Sequence, residues 1–152
     1  MSGISNEILF DVTKQVFEEA AFVFLEMNDE IEDWEEDMVQ VIMSFQSPES
    51  EGRMVLSASN EFTIELAANM LGMDEDDETV LDKGKAAIGE ILNMICGVMM
   101  ERLYGDEVIC KLGLPETQDF EVDQFEEFKQ TAESYISLAE EMGARIDAAF
   151  II

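Results

Sequence analysis

The chain predicts an α+β (mixed α/β) fold, with a mostly antiparallel sheet packed by two long helices and one short helix. Three observations predict it. Residues 5–27 and 79–104 carry apolar side chains at helical spacing. Residues 39–58 and 135–152 alternate apolar and polar positions around turn clusters, the pattern of local hairpins. The 152 residues, 47% of them apolar, suit a single domain spanning 1–152 with its own core.

The first helix is read over 5–27. Ile8, Val12, Phe17, Ala20, Val23, Phe24 and Met27 form its apolar face, and Ser5 or Asn6 caps its start. An acidic loop over 28–37 carries Trp34. Val39, Val41, Met43 and Phe45 then alternate. A turn follows over 48–52, and Met54, Leu56 and Ala58 alternate again. A short helix over 60–71 is closed by Gly72, the usual residue just past a helix end. The acidic stretch 73–78 reads as a solvated linker. Asp74, Asp76 and Asp77 lack the glycine and the terminal glutamate of a calcium loop.

Thr79 and Asp82 have the spacing of a capping box, so the central helix is expected to run from 79 to 104 and stop at Gly105. Val108, Cys110, Leu112 and Leu114 suggest a strand ending at Pro115. The acidic segment 116–129 reads as a loop or a short helix. The tail is a second hairpin, with strands over 135–139 and 145–152. Each half thus opens on a long helix that leads into strands, an internal pseudo-repeat.

Composition removes several function classes. Thirty-six acidic residues against eight basic ones give a net charge of -28. Such a charge repels nucleic-acid phosphates and anionic membrane surfaces, and favours a cation-bearing protein partner. There is no histidine, hence neither the commonest general base nor the commonest zinc ligand. Cys96 and Cys110 sit in apolar surroundings and read as reduced core residues of a cytoplasmic protein. No signal-peptide pattern opens the sequence. The central helix is interrupted by Glu90, Asn93, Glu101 and Arg102, so it does not read as a membrane span.

The stretch with chemical content is Gly89-Glu90-Ile91-Leu92-Asn93-Met94-Ile95-Cys96-Gly97. On a helix, Ile88, Ile91, Leu92, Ile95, Val98, Met99 and Leu103 share one wide apolar face, with Cys96 at its edge. Glu90 and Asn93 fall together on the opposite side as i and i+3 neighbours, flanked by the small residues Ala86 and Gly97. Gly97 costs a helix interior about 0.8–1.0 kcal/mol relative to alanine, which calls for a packing or docking reason. Neither side chain makes a ready nucleophile. An amide can orient a water molecule by donating and accepting hydrogen bonds. A pair of this kind completes a site that another protein supplies. The plainer reading, two polar residues on a solvated helix face, stays open on spacing alone.

This stretch resembles the E-x-x-N helix of the CheX–CheC–FliY chemotaxis phosphatases, which in CheX-type members reads Glu-x-x-Asn-Met-Ile-small-Gly. The hairpin over 39–57, the short helix ending Asn69-Met70-Leu71-Gly72, the strand ending at Pro115 and the final hairpin follow the expected order. The resemblance therefore covers roughly 39–152. It implies a phosphatase, an enzyme that removes the phosphoryl group from the aspartate of a phosphorylated CheY-type response regulator. Asn93 would orient the attacking water and Glu90 would pair with the regulator's lysine. No cofactor of its own is implied, because Mg²⁺ is supplied by the regulator. The resemblance also implies a homodimer joined through sheet edges.

Two departures qualify the match. The corresponding stretch of the first helix holds Gln15 and Glu18 in the Glu and Asn positions, so a second site is not expected there. An acidic residue or serine often stands four positions before the motif glutamate, and here it is Ala86. The alternative is a non-catalytic adaptor of the same fold that binds a response regulator or a flagellar component. A third reading is an acidic mimic of nucleic acid.

Overall fold

A computed structural model describes residues 6–28, 38–105, 107–119, 122–140 and 143–152. Helix α1 (Asn6–Ala21) leads into the short strand β1 (Leu25–Met27). Strands β2 (Met38–Gln46) and β3 (Glu51–Ser59) form a hairpin in the register Met38↔Ser59 to Gln46↔Glu51. Helices α2 (Asn60–Leu71), α3 (Glu78–Leu81) and α4 (Gly84–Tyr104) follow. Then come β4 (Lys111–Leu112), β5 (Glu116–Asp119), α5 (Val122–Thr131), and the hairpin of β6 (Ser134–Glu140) with β7 (Arg145–Ile151).

Among the described residues these strands make one sheet of seven, every pair antiparallel. Its order is β1-β6-β7-β3-β2, with β4 and β5 both against the outer side of β2. The two hairpins meet at the centre, where β3 pairs with β7. The strand that follows α1 crosses to the far hairpin, and the strands that follow α4 cross back to the near one. This exchange is the structural form of the pseudo-repeat.

Strand alternation splits the sheet into two faces. Val41, Met43 and Phe45 of β2 and Met54 and Leu56 of β3 share one buried cluster with Leu9, Val12 and Phe17 of α1, Leu66 of α2, and Ile88, Ile91, Leu92, Ile95 and Met99 of α4. Phe45 and Phe150 pack with ring centroids 5.0 Å apart. Removing one such side chain, as in Ile91→Ala, costs about 2–5 kcal/mol. The opposite face is covered by α5, whose Phe128 packs with Val55, Ala149 and Ile151.

The α5 face also hides a polar network. Asp147 is buried, accepting hydrogen bonds from Ser137 Oγ at 2.7 Å, from the Tyr135 hydroxyl, and from Arg145 Nε and Nη2 at 3.0 Å each. A bidentate guanidinium and two hydroxyls satisfy the carboxylate, which would otherwise be costly to bury. Burial and the neighbouring Asp147 push the Tyr135 phenol well above its ordinary range. Gln40, within hydrogen-bond reach of Ser57 and Gln118, extends the polar layer.

Several boundaries differ from the sequence expectation. The first helix stops at Ala21, because Phe22 takes a left-handed φ of 57° and the chain turns into β1. Residues 23–26 alternate buried and exposed as a strand does, although the apolar run they belong to imitates a helix. Asn6 does not spend its side chain on a cap; Oδ1 accepts from Ser134 Oγ and the Tyr135 amide. Ser5 and the acidic loop over 29–37, with Trp34, lie outside the described residues. The segment 116–129 is neither a plain loop nor one helix, since it opens with β5 and continues as α5. The strand expected before Pro115 shrinks to β4, and the longer pairing with β2 comes after the proline.

Candidate functional site on the central helix

The start of the motif helix is set by close packing against α2. Ser59 caps α2, accepting from the Phe62 amide at 3.1 Å, and Gly72 closes it at φ 66°. The expected capping box at Thr79 and Asp82 does not open the motif helix. Asp77 caps α3 instead, accepting from the Thr79 amide at 2.9 Å and the Thr79 hydroxyl at 2.7 Å. Those bonds hold the Asp77 carboxyl below its ordinary range. Asp82 ends α3, and α4 begins at Gly84, where a side chain would collide with Thr63 of α2. Close approach of two helices therefore sets the start of α4.

Along α4 the expected division of faces is present. Ile88, Ile91, Leu92, Ile95, Cys96 and Met99 are fully buried, while Val98 and Leu103 are half-buried. Burial pushes the Cys96 thiol up to about 12, which keeps it an unreactive core residue. Ala86, Glu90, Asn93 and Gly97 are all exposed and, at spacings of four, three and four, form one stripe. Among the described residues no side chain hydrogen-bonds to Glu90 or Asn93. A Cβ on Gly97 would meet nothing within 4 Å. No packing among the described residues requires that glycine, so its small size leaves room beside the helix.

Sequence reasoning did not foresee the shoulder beside this stripe. Gly89 is buried because Pro115 lies against it; a Cβ there would stand 3.4 Å from Pro115 Cβ. The Gly-Glu dipeptide and the proline after β4 were both legible, but their contact is a tertiary fact. The stripe offers a carboxylate and a carboxamide with free hydrogen-bonding capacity, and no nucleophile beside them. Among the described residues no group of three or more Cys, Asp or Glu side chains could hold a metal ion.

A long helix packed on an antiparallel sheet of exchanged hairpins is the α+β architecture of CheX-like proteins. The family model for "Chemotaxis phosphatase CheX" matches residues 39–121, more than half of the chain, and the chain belongs to that family. No curated protein matches the chain. Among solved structures it is similar to a chain of the CheX–CheY–BeF3–Mg²⁺ complex from Borrelia burgdorferi, with a TM-score of 0.71 and 18% identity over 95% of each chain. CheX from Desulfovibrio desulfuricans gives a TM-score of 0.68 and 15% identity, again over 95% of each chain. FliY from Thermotoga maritima gives 0.57 and 15%, over 96% of this chain and 86% of that one. At these identities the likeness is one of fold, and it agrees with the fold class and family resemblance read from the sequence. Among the described residues no helix is long and apolar enough to cross a membrane.

Proposed function

We propose that this chain is a phosphatase acting in the cytoplasm on the phospho-aspartate of a CheY-type response regulator. The observation that carries the reading is the exposed pair Glu90 and Asn93 between Ala86 and Gly97, without a hydrogen-bond partner among the described residues, in a chain of the CheX family. Asn93 orients a water molecule through its amide. The water oxygen bonds to phosphorus as the bond from phosphorus to the aspartyl oxygen breaks, leaving the free carboxylate and inorganic phosphate. Glu90 pairs with the regulator's active-site lysine and fixes the register of docking. The regulator would bring the Mg²⁺, which would offset part of the charge on the phosphoryl oxygens. This chain adds only position, which is most of what phosphoryl transfer asks of a protein.

Asn93→Ala is expected to lower the rate of phosphate release from the phosphorylated regulator by about 10²–10³-fold. Its thermal melt should stay near wild type, because an exposed helix position contributes within about 0.5 kcal/mol. Full activity in that variant would sink the reading. Ala86, standing where the family often has an acid or serine, favours a second one: an adaptor that binds a regulator or flagellar component without speeding phosphate loss. Binding of the phosphorylated regulator with no acceleration by wild type would select it.

A homodimer joined through a sheet edge belongs to the same proposal. The outer side of β1 fits: it is unpaired among the described residues, and the exposed Phe22 and Phe24 flank it. Sedimentation velocity should give twice the chain mass, and a monomer would remove the dimer while leaving the phosphatase reading intact.

A further inference from the structure

Leu114 is 84% exposed, and what sets it apart is how the chain on either side of it is held. Both of its neighbours are pinned. The Gly113 amide donates to the Ser44 carbonyl of β2 at 2.8 Å, and a side chain at Gly113 would collide with Ser44 Oγ. Pro115 rests on Gly89 of α4. The leucine is thus held outward between two anchors, and little freedom remains to be lost when a partner covers it.

Its position relative to the motif follows from helix spacing. Lys85, Gly89 and Asn93 lie four residues apart along one flank of α4, each about 6 Å further along the axis. The Leu114–Pro115 shoulder therefore rises on that flank between Lys85 and Asn93. Lys85 is exposed and has no ion pair among the described residues. Its charge does not serve the helix. The first turns of α1, α2, α3 and α5 carry Glu7, Glu61, Glu78 and Asp123, whereas that of α4 carries no acid. A lysine there opposes the helix dipole. With Lys83, Lys85 and Arg102 against Glu90 and Glu101, the segment 83–104 is net positive in a chain of net charge -28.

We infer that Leu114 and Lys85 form a docking surface beside Glu90 and Asn93, with Leu114 the apolar anchor and Lys85 drawing the phosphorylated regulator toward the stripe. This rests on the phosphatase reading for the identity of the partner. Charge complementarity selects that partner, since its phosphoryl group carries about two negative charges. Both are positioning residues, since neither is asked to touch the reacting atoms.

The test is steady-state phosphate release from a CheY-type regulator kept phosphorylated by acetyl phosphate and Mg²⁺, with wild type, Leu114→Ser, Lys85→Met and Asn93→Ala. Leu114→Ser should raise KM about tenfold and Lys85→Met about threefold, each with kcat within about twofold of wild type. Asn93→Ala should lower kcat and spare KM. An unaltered KM in Leu114→Ser overturns the docking inference while the phosphatase reading stands. If wild type gives no acceleration, the phosphatase reading fails by itself. Docking is then decided by titrating the same proteins with the beryllofluoride-loaded regulator. Weaker binding by Leu114→Ser supports the surface; equal binding, or none by wild type, overturns it.

Discussion

Helices α1 and α4 hold corresponding places in the two interleaved halves of the sheet, and each leads into strands that cross to the other hairpin. Asp11, Gln15, Glu18 and Phe22 on the first have the same spacing as Ala86, Glu90, Asn93 and Gly97 on the second. The stripes differ in what surrounds the polar pair. Gln15 spends its amide on Glu19, donating at 3.2 Å, and Lys14 reaches Glu26 at 3.4 Å. Phe22, exposed and left-handed, ends the first helix at the sequence position where α4 runs on through Gly97. On α4 the pair is unpartnered, its neighbours are small and the helix continues to Tyr104. The scaffold supplies two candidate faces. Side-chain size and unspent hydrogen bonds leave one of them open to a partner.

The sharpest way to break this contrast is to give α4 the obstruction of α1. Gly97→Phe should reduce phosphate release by about tenfold or more, as a steric block at an interface centre does, without lowering the melting temperature. Activity at the wild-type level would mean that Gly97 is not part of the contact. Gly97→Ala separates size from backbone cost. With no atom within 4 Å of the new Cβ, it should stabilise the fold by about 0.8–1.0 kcal/mol in urea titration.

A smaller effect comes from α2, which packs on both helices. Glu65 is pushed up to about 7, first by burial and then by the carboxylate of Glu140. A raised pKa means that the native state holds this proton more tightly than the unfolded chain. Its stabilising contribution is therefore present below the ordinary glutamate range and is lost as pH rises from about 4.5 to 7. Glu65→Gln should match wild type most closely near pH 4.5 and melt increasingly above it toward pH 8. A constant difference across that range would exclude the linkage. The smallest expected effect is a null one. Gln15→Glu with Glu18→Asn, placed in the Asn93→Ala background, should restore no phosphate release while Phe22 remains.

How much of this was legible follows from the kind of force behind each element. The two hairpins and α2 were readable because alternation, turn residues and Gly72 act locally. The motif stripe was readable because helix geometry alone places Glu90 beside Asn93. Strand β5, Glu-Thr-Gln-Asp, has no apolar signal, and main-chain pairing with β2 holds it in place. Strand β1 hid inside an apolar run until the backbone reversal at Phe22 separated it from α1. The break between α3 and α4 depends on Thr63 standing close to Gly84, a neighbour 21 positions away that local pattern does not contain.

The exchange of strands between the halves also sets an order of events during synthesis. Leu25 of β1 waits for Glu140, and Val55 of β3 waits for Ala149, so the outer and central seams of the sheet close only once β6 and β7 have been made. Until then Leu9, Val12 and Phe17 have no finished sheet to cover them. A ribosome paused midway would hold a chain whose β3 lacks its partner β7 and whose first helix has its apolar face bare. Apolar surface left open in that interval is what makes long-range pairing slow and aggregation-prone, and here it is withdrawn only when β6 and β7 arrive.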